Sequence, residues 1–507
     1  MKRSFEKFWS SQAQTVPLLY ACILLALLIF ATYSGVAFND FVEFDDEPYV
    51  YGNSHIVEGL SRANIIWAWT SFEEGNWHPL TWMSHMLDVE LFGLDAAGHH
   101  WMNVILHVCN AILVFIFLQR VTGRYWESLS VAVIFAIHPL RVESVAWASE
   151  RKDVLSAFFY LSALCFYSSY IKTEKRSSYV ATALCMALGL TAKAMPVTLP
   201  VLLLILDFWP FHRYAEGTAL RKFLTLFVEK IPLFILSFIA SVIAFHAQSN
   251  QGTVSQFPLD ERIAQSLSAY MDYILKFLFP MNLAVLYPYE RGVFMQKTTL
   301  SVILLAVISL WIYRNRKDGP WAVAGWLWFL VTLAPVIGIV KIGMHSIADR
   351  YTYIPHIGLA IMVCWGIAQA SRDLPKLKSL LLPASWIVVI CFVSLSIRQT
   401  GFWKSSESLY ERALKVAPVN FLMEDYLGVT HFRKGKHEIA VEHFKKSIHI
   451  NPYYAVGHLN LGGYYYTKGQ LKRAEKEFLI ALALEPTLAK ARYYLDKVHQ
   501  DPEWTEF

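Results

Sequence analysis

Charge is scarce in this chain. Asp, Glu, Lys and Arg make up 17% of its 507 residues, against 55% hydrophobic and 15% aromatic, which gives no warrant for a nucleic-acid-binding reading. Cysteine is also sparse: Cys22, Cys109, Cys165, Cys185, Cys364 and Cys391 all fall in apolar runs, where thiols behave as small apolar side chains, and none forms a CxxC pair. Neither disulfides nor a structural zinc is therefore expected. The phosphate cradles GxxxxGK[ST] and GxGxxG are missing, so a nucleotide-driven pump or a nucleotide-sugar enzyme lacks its usual sign. HExxH is missing too. Asp45, Asp46 and a distant Glu143 or His138 are the available oxygen and imidazole donors, which leaves room for a divalent metal, but no obligatory metal or other cofactor is expected.

What the chain has is apolar residues in blocks of about 20, the length that crosses a bilayer. Blocks near 16–36, 100–119, 127–139, 153–171, 178–193, 196–210, 230–247, 297–314, 320–340, 352–371 and 378–397 predict about eleven transmembrane helices. The first follows Met1-Lys2-Arg3 and Lys7, is too long for a signal-peptide core and has no small-x-small cleavage site, so it is expected to stay as an anchor. Alternate loops carry Arg120 and Arg124, then Lys172, Lys175 and Arg176, then Arg213, Arg221 and Lys222, then Arg314, Arg316 and Lys317, then Arg372, Lys376 and Lys378. Basic loops stay inside, which predicts a cytoplasmic N-terminus and an external C-terminus. Two external pieces do not read as simple crossings. Segment 38–99 holds Trp67, Trp69, Trp77 and Trp82 and reads as helices lying in the interface; segment 263–290, broken by Pro280 and Pro288, reads as re-entrant or interfacial.

The fold class is thus all-α: a membrane domain over 1–398, then a soluble helical domain over 399–507. In the latter, Leu427-Gly428, Ala440, Phe444 and Pro452 recur 34 residues later as Leu461-Gly462, Ala474, Phe478 and Pro486, the pattern of a tetratricopeptide repeat. Full repeats are expected near 421–454 and 455–488, between a preceding half repeat and a closing helix. Such arrays stack helix pairs into a concave surface that binds peptides or partner helices and does no chemistry.

Polar residues at membrane depth collect on the outer side. They include Asp45 and Asp46 in Phe41–Val50; His78 and Asp88; His99 and His100; His138, Arg141, Glu143, Glu150, Arg151, Lys152 and Asp153; Lys193; Lys341; and Asp349-Arg350-Tyr351. A carboxylate beside the apolar phase must be hydrated, paired, metal-bound or used as a base. It can take a proton from an attacking hydroxyl, whereas Arg and Lys can neutralise a phosphate leaving group. Together they suit transfer from a lipid phosphate.

The loop with Phe44-Asp45-Asp46, the motifs His138-Pro-Leu-Arg-Val-Glu143 and Glu150-Arg-Lys-Asp-Val-Leu-Ser156, Lys193 and the C-terminal repeats resemble the transmembrane-and-tetratricopeptide-repeat (TMTC-like) O-mannosyltransferases and their bacterial relatives. The resemblance implies the GT-C glycosyltransferase superfamily, a polyprenyl-phosphate-sugar donor, inversion at the anomeric carbon, and a protein or peptide acceptor held by the repeats. It implies Asp45 or Asp46 as catalytic base and Arg151, Lys193 and Arg350 as contacts to the donor phosphate. His78, His138, Arg141, Glu143, Lys152 and Asp349 are the further candidates for sugar or acceptor contact or for support of the site. The motif forms and short repeat array imply a bacterial cytoplasmic membrane, with active site and repeats on the periplasmic face. An oligosaccharide ligase using a lipid-diphosphate donor and a non-catalytic membrane scaffold are the alternatives; the early position of the long loop 38–99 favours the monosaccharide transferase.

Overall fold

The computed structural model describes residues 15–214, 219–250, 258–289, 295–339 and 345–501. The N-terminal basic residues, Lys341, and Lys2 to Lys7 as a topology signal lie outside these. The described residues are all-helical and form two compact units: residues up to 281 with 290–403, and 282–289 with 404 onward. The boundary expected at 398/399 falls inside the continuous helix Pro375–Gly401, and the short segment 282–289 belongs with the second unit.

Each expected span coincides with a helix, but their lengths are unequal. Among the described residues six are long and apolar enough to cross a membrane: Pro17–Phe38, Ala96–Thr122, Ala148–Thr173, Leu220–Ser249, Met295–Arg314 and Ser379–Gly401. A seventh arises if Tyr125–Ile137 and Pro139–Ala146, bent by 56° at the break before Pro139, count as one span. The protein is a multi-pass membrane protein. Two expected crossings, 196–210 and 320–340, are shorter: the helices Leu199–Phe208 and Pro320–Leu333 have 10 and 14 residues, about 15 and 21 Å at 1.5 Å per residue, against a hydrocarbon core of about 30 Å. Proline at the start of each, Pro196 and Pro200 or Pro320, fixes φ where a helix begins. Of the segment 263–290, read as re-entrant or interfacial, residues up to 278 belong to one unbroken helix, Leu259–Leu278, with Asp260, Glu261 and Lys276 at its ends, and the part around Pro280 and Pro288 is not helical.

Within the first unit, Ala96–Thr122, Arg151–Thr173 and Arg176–Ala192 pack side by side, and Pro320–Leu333 lies against Pro355–Asp373. Gly325 and Gly358 meet at the latter crossing, and a Cβ on either would strike the other's carbonyl oxygen, the small-residue approach typical of membrane helices. Segment 38–99 folds into the short helices Ser54–Val57 and Arg62–Thr70 and the longer Pro79–Phe92. They share a core of Tyr49, Val50, Ile56, Ala68, Trp82 and Met86. The opposite ends of Ala96–Thr122 and Arg151–Thr173 open on a separate cavity whose wall holds Arg120, Arg124, Lys172 and Arg372. The basic and acidic loop sets therefore sit at opposite ends of the bundle.

The second unit is a run of antiparallel helix pairs. Phe421–Arg433 packs on His437–Ile450, and Ala455–Thr467 on Leu471–Leu484. The turns use Gly435 and Gly469 at φ of 74° and 69°, a left-handed conformation that glycine takes without a Cβ clash. Inside each pair a glycine lies flat against a ring: Gly428 on Phe444, Gly462 on Phe478. An imidazole–carboxylate contact spans each hairpin, with partners exchanged. Glu424 bonds His443 at 2.6 Å, and at the matching positions His458 bonds Glu477 at 2.7 Å.

Neighbouring glycines separate the two uses of this residue. A Cβ at Gly462 would stand 2.6 Å from the Phe478 ring, whereas one at Gly463 meets nothing within 4 Å. Gly462→Ala is expected to destabilise the hairpin by about 1–3 kcal/mol, and Gly463→Ala to stabilise it by up to about 1 kcal/mol. Hydrogen–deuterium exchange over 455–484 in the full chain measures both.

Candidate active site

The site is built on one loop pinned to one helix start. Asp46 is fully buried: its Oδ2 accepts from the Val42 backbone N–H at 2.9 Å and its Oδ1 from that of Ser149 at 2.8 Å. Burial pushes this carboxyl up to about 7 against the pull of those two N–H groups. Phe44 packs on Trp147, ring centres 5.4 Å apart. With Asp46 turned inward, its neighbour Asp45 faces a cavity of 610 Å³; its side chain is 35% exposed and lies 3.6 Å from Lys152 Nζ.

The basic half comes from three other places in the chain. Helix Arg151–Thr173 begins directly after the turn Ala148–Glu150, and its first two residues, about 100° apart around the axis, separate. Lys152 faces the cavity, 4.3 Å over the Tyr49 ring. Lys193 ends helix Arg176–Ala192 in extended conformation, with Nζ 2.5 Å from Asp153 Oδ1 and 3.2 Å from Glu150 Oε2. Arg350 lies in the turn Asp349–Thr352, bonded to Glu143 and with Nε 3.3 Å from Glu150 Oε1. Burial opposes the charge on Lys193, but Asp153 and Glu150 outweigh it and hold the ammonium above its ordinary value. Burial likewise opposes charge on Arg350, and Glu143, Tyr351 and Glu150 hold it well above the usual range.

The same cavity takes in Tyr49, Glu74, Asn76, Trp77, His78, His345 and Tyr351. Burial, then Lys152 and Lys193, push His78 well below its ordinary value, so its ring is neutral. The remaining wall is mostly apolar: Leu190, Ala194, Met195 and Val197, then Ala240, Ile243, Ala244 and Phe245 of the helix Ala219–Asn250, which also brings Ser241 and Gln248, and Pro335 and Val336. One chamber therefore joins three carboxylates, Asp45, Glu74 and Glu150, three cations and a greasy side.

Of the residues singled out in the sequence, Asp45, His78, Lys152, Lys193 and Arg350 meet at this cavity. Arg151 does not line it: fully buried, it bonds Asp88 at 2.6 Å, Ser84 at 2.7 Å, Asn103 at 2.5 Å and the His99 carbonyl at 2.9 Å. Every donor of Arg151 that these bonds use is directed into protein, away from any phosphate in the chamber. His138 stacks on Phe277, donates from Nε2 to its carbonyl at 3.0 Å and accepts from the Leu140 N–H. Arg141 donates to Thr352 at 2.8 Å and His356 at 3.3 Å, Asp349 pairs with Lys276 at 3.3 Å, and Glu143 acts through Arg350. These four form a buried layer behind the wall. Glu74, Asn76 and His345 were not singled out, since nothing in their local spacing marks them; Glu150 and Tyr351 stood in the outer polar set without an assigned role, and Trp77 stands beside His78.

No protein-family model matches the chain. It is similar to Protein O-mannosyl-transferase TMTC3 of Mus musculus, 22% identical over 528 residues covering 94% of this chain and 56% of that protein. The human TMTC3 protein is 23% identical over 525 residues with the same coverage. Protein O-mannosyl-transferase F38B6.6 of Caenorhabditis elegans is 24% identical over 455 residues, 85% of this chain and 63% of the relative. The chain is TMTC-like. It spans about half the length of the curated relatives it matches.

The two adjacent acids of this TMTC-like chain are expected to respond differently to loss of charge. Asp46→Asn turns an amide NH2 toward a backbone N–H and should cost about 1–3 kcal/mol of stability, while Asp45→Asn should stay within about 0.5 kcal/mol of the parent. Thermal unfolding of the detergent-purified proteins distinguishes them.

Proposed function

We propose that the protein is an inverting GT-C-type glycosyltransferase that moves a monosaccharide, mannose in first place, from a polyprenyl phosphate to a Ser or Thr hydroxyl of a protein acceptor. The observation that carries this reading is the two-sided chamber, with Asp45 and three cations on one side and an apolar wall on the other. A lipid-linked sugar phosphate has the same division: an anionic head, a polar ring and a hydrocarbon tail. The names of the relatives, protein O-mannosyl-transferases, suggest the sugar and the acceptor class.

In the proposed step the acceptor oxygen attacks C1 of the sugar while Asp45 takes its proton. The new C1–O bond forms as the bond from C1 to the phosphate oxygen breaks, and that electron pair leaves with the polyprenyl phosphate. The leaving group gains one negative charge, so cations aimed at it stabilise the transition state more than the ground state. Lys152, Lys193 and Arg350 take this role, with Lys152 in the place the sequence motif offered to Arg151. Trp77, Asn76 and the neutral His78 are the proposed sugar contacts. As written, the step routes neither proton nor charge through a metal.

The basic loops lie at the end of the bundle away from the chamber, which supports a chamber on the external face. For a bacterial cell that is the periplasmic face of the cytoplasmic membrane. The helix pairs after residue 404 are read as tetratricopeptide repeats that bind the acceptor polypeptide.

Purified protein given radiolabelled polyprenyl-phosphate-mannose and an acceptor peptide should transfer the label. Asp45→Asn is expected to lower the rate about 10²–10⁴-fold with an unchanged circular dichroism spectrum, and Lys152→Met to lower it with the fold retained. Transfer from a lipid-diphosphate oligosaccharide, with none from monophosphate donors, would overturn the reading in favour of a ligase. A protein inactive with every donor, whose phenotype survives Asp45→Asn, would be a scaffold.

A further inference from the structure

His85, Asp88 and His99 take no part in the chamber, yet they form the tightest group of metal-ligating side chains among the described residues. We propose that they bind a zinc ion that locks segment 38–99 onto the membrane bundle. His85 and Asp88 stand three residues apart on helix Pro79–Phe92, hence on one face; His99 is in the first turn of Ala96–Thr122. One ligand atom from each lies within 4.8 Å of the other two, and all three residues are fully buried.

The hydrogen bonding calls for a cation here. Among the described residues neither ring nitrogen of His85 has a hydrogen-bond partner, and a buried polar group left without one is destabilising. His99 Nε2 is 3.1 Å from the Gly93 carbonyl oxygen, which can only accept, so Nε2 carries the proton. In the neutral ring Nδ1 then presents a lone pair, and it faces Asp88 Oδ2 at 3.4 Å. Two acceptors facing each other in a buried site are stabilised by a cation or a proton between them, beyond the Arg151 bond that Asp88 Oδ2 already accepts. An imidazole whose remote N–H donates to a backbone carbonyl is also how metal-bound histidines are oriented.

The donor set selects the ion. Two imidazoles and one carboxylate suit Zn²⁺, which completes a tetrahedron with one solvent oxygen, and do not suit Ca²⁺ or Mg²⁺, which take oxygen ligands. Arg151, 2.6 Å from Asp88 Oδ2, orients that carboxylate; its own charge disfavours a weakly held cation, so only strong imidazole coordination holds an ion beside it. Cysteine spacing gives no hint of such a site, because its donors are imidazoles and a carboxylate from two helices.

The alternative is a proton on His99 in place of the metal. The full-length protein, loaded with zinc and freed of excess by gel filtration, should retain about one zinc per chain by mass spectrometry, while His85→Ala and His85→Gln should retain less than about a tenth of that. Cobalt loading should give the visible absorption of a tetrahedral site in the parent and not in the variants. Chelation should lower the thermal midpoint of the parent to that of His85→Ala and leave the variant unmoved. Since His85 has no hydrogen bond to lose, both variants are expected to fold, which circular dichroism verifies. Parent protein that holds no zinc after loading, or parent and His85 variants that hold it equally, would overturn the proposal and leave the protonated pair. The outcome is independent of the sugar transfer, which is assayed separately.

Discussion

The structure depends on Glu150, a buried carboxylate reached by three cations from three parts of the chain: Lys152 at 3.4 Å, Lys193 at 3.2 Å and Arg350 at 3.3 Å. A buried charge without partners costs far more than it can recover, and removing one partner of a buried pair typically costs about 3–5 kcal/mol. The ends of helices Arg151–Thr173 and Arg176–Ala192 and the turn Asp349–Thr352 must therefore converge. Glu143 and Asp153 complete the arrangement from behind, holding Arg350 and Lys193. The cations are thus positioned before any anionic substrate arrives, which is the condition for electrostatic stabilisation without reorganisation at the moment of reaction.

Around that cluster, consecutive residues divide into anchor and actor. Asp46 ties the loop to the Ser149 backbone and Asp45 faces the chamber; Arg151 ties the helix start to Asp88, Ser84 and Asn103, and Lys152 faces the chamber. The division has a simple cause. At the edge of a buried bundle one side of a turn faces protein and the other faces a cavity, so two adjacent polar residues cannot both be solvated. The inward one must find hydrogen bonds, and the outward one is left for chemistry.

The second unit follows a different economy of charge. Its imidazole–carboxylate contacts recur at the repeat spacing with acid and imidazole exchanged, Glu424 with His443 and His458 with Glu477. What is retained from one hairpin to the next is the bond between two helices, and which helix supplies the acid does not matter to it. The glycines packed on Phe444 and Phe478 set the closeness of each pair, and the array is built from contacts between neighbours in sequence.

Composition and periodicity alone determined the all-helical class, the membrane character and the 34-residue spacing, because bilayer thickness and helix pitch impose these on any sequence through local patterns. They also marked the polar stretches at 45–46, 138–153, 193 and 349–350 as places where charge meets an apolar phase. They could not determine which of two adjacent acids or bases turns inward, since a one-residue step at a helix start or turn is settled by partners distant in the chain: Val42 and Ser149 for Asp46, Asp88 and Asn103 for Arg151. Nor could they show that 196–210 and 320–340 form helices too short to cross alone, or that His85, Asp88 and His99 meet. Those outcomes depend on how helices far apart in sequence pack, and only the tertiary structure decides that.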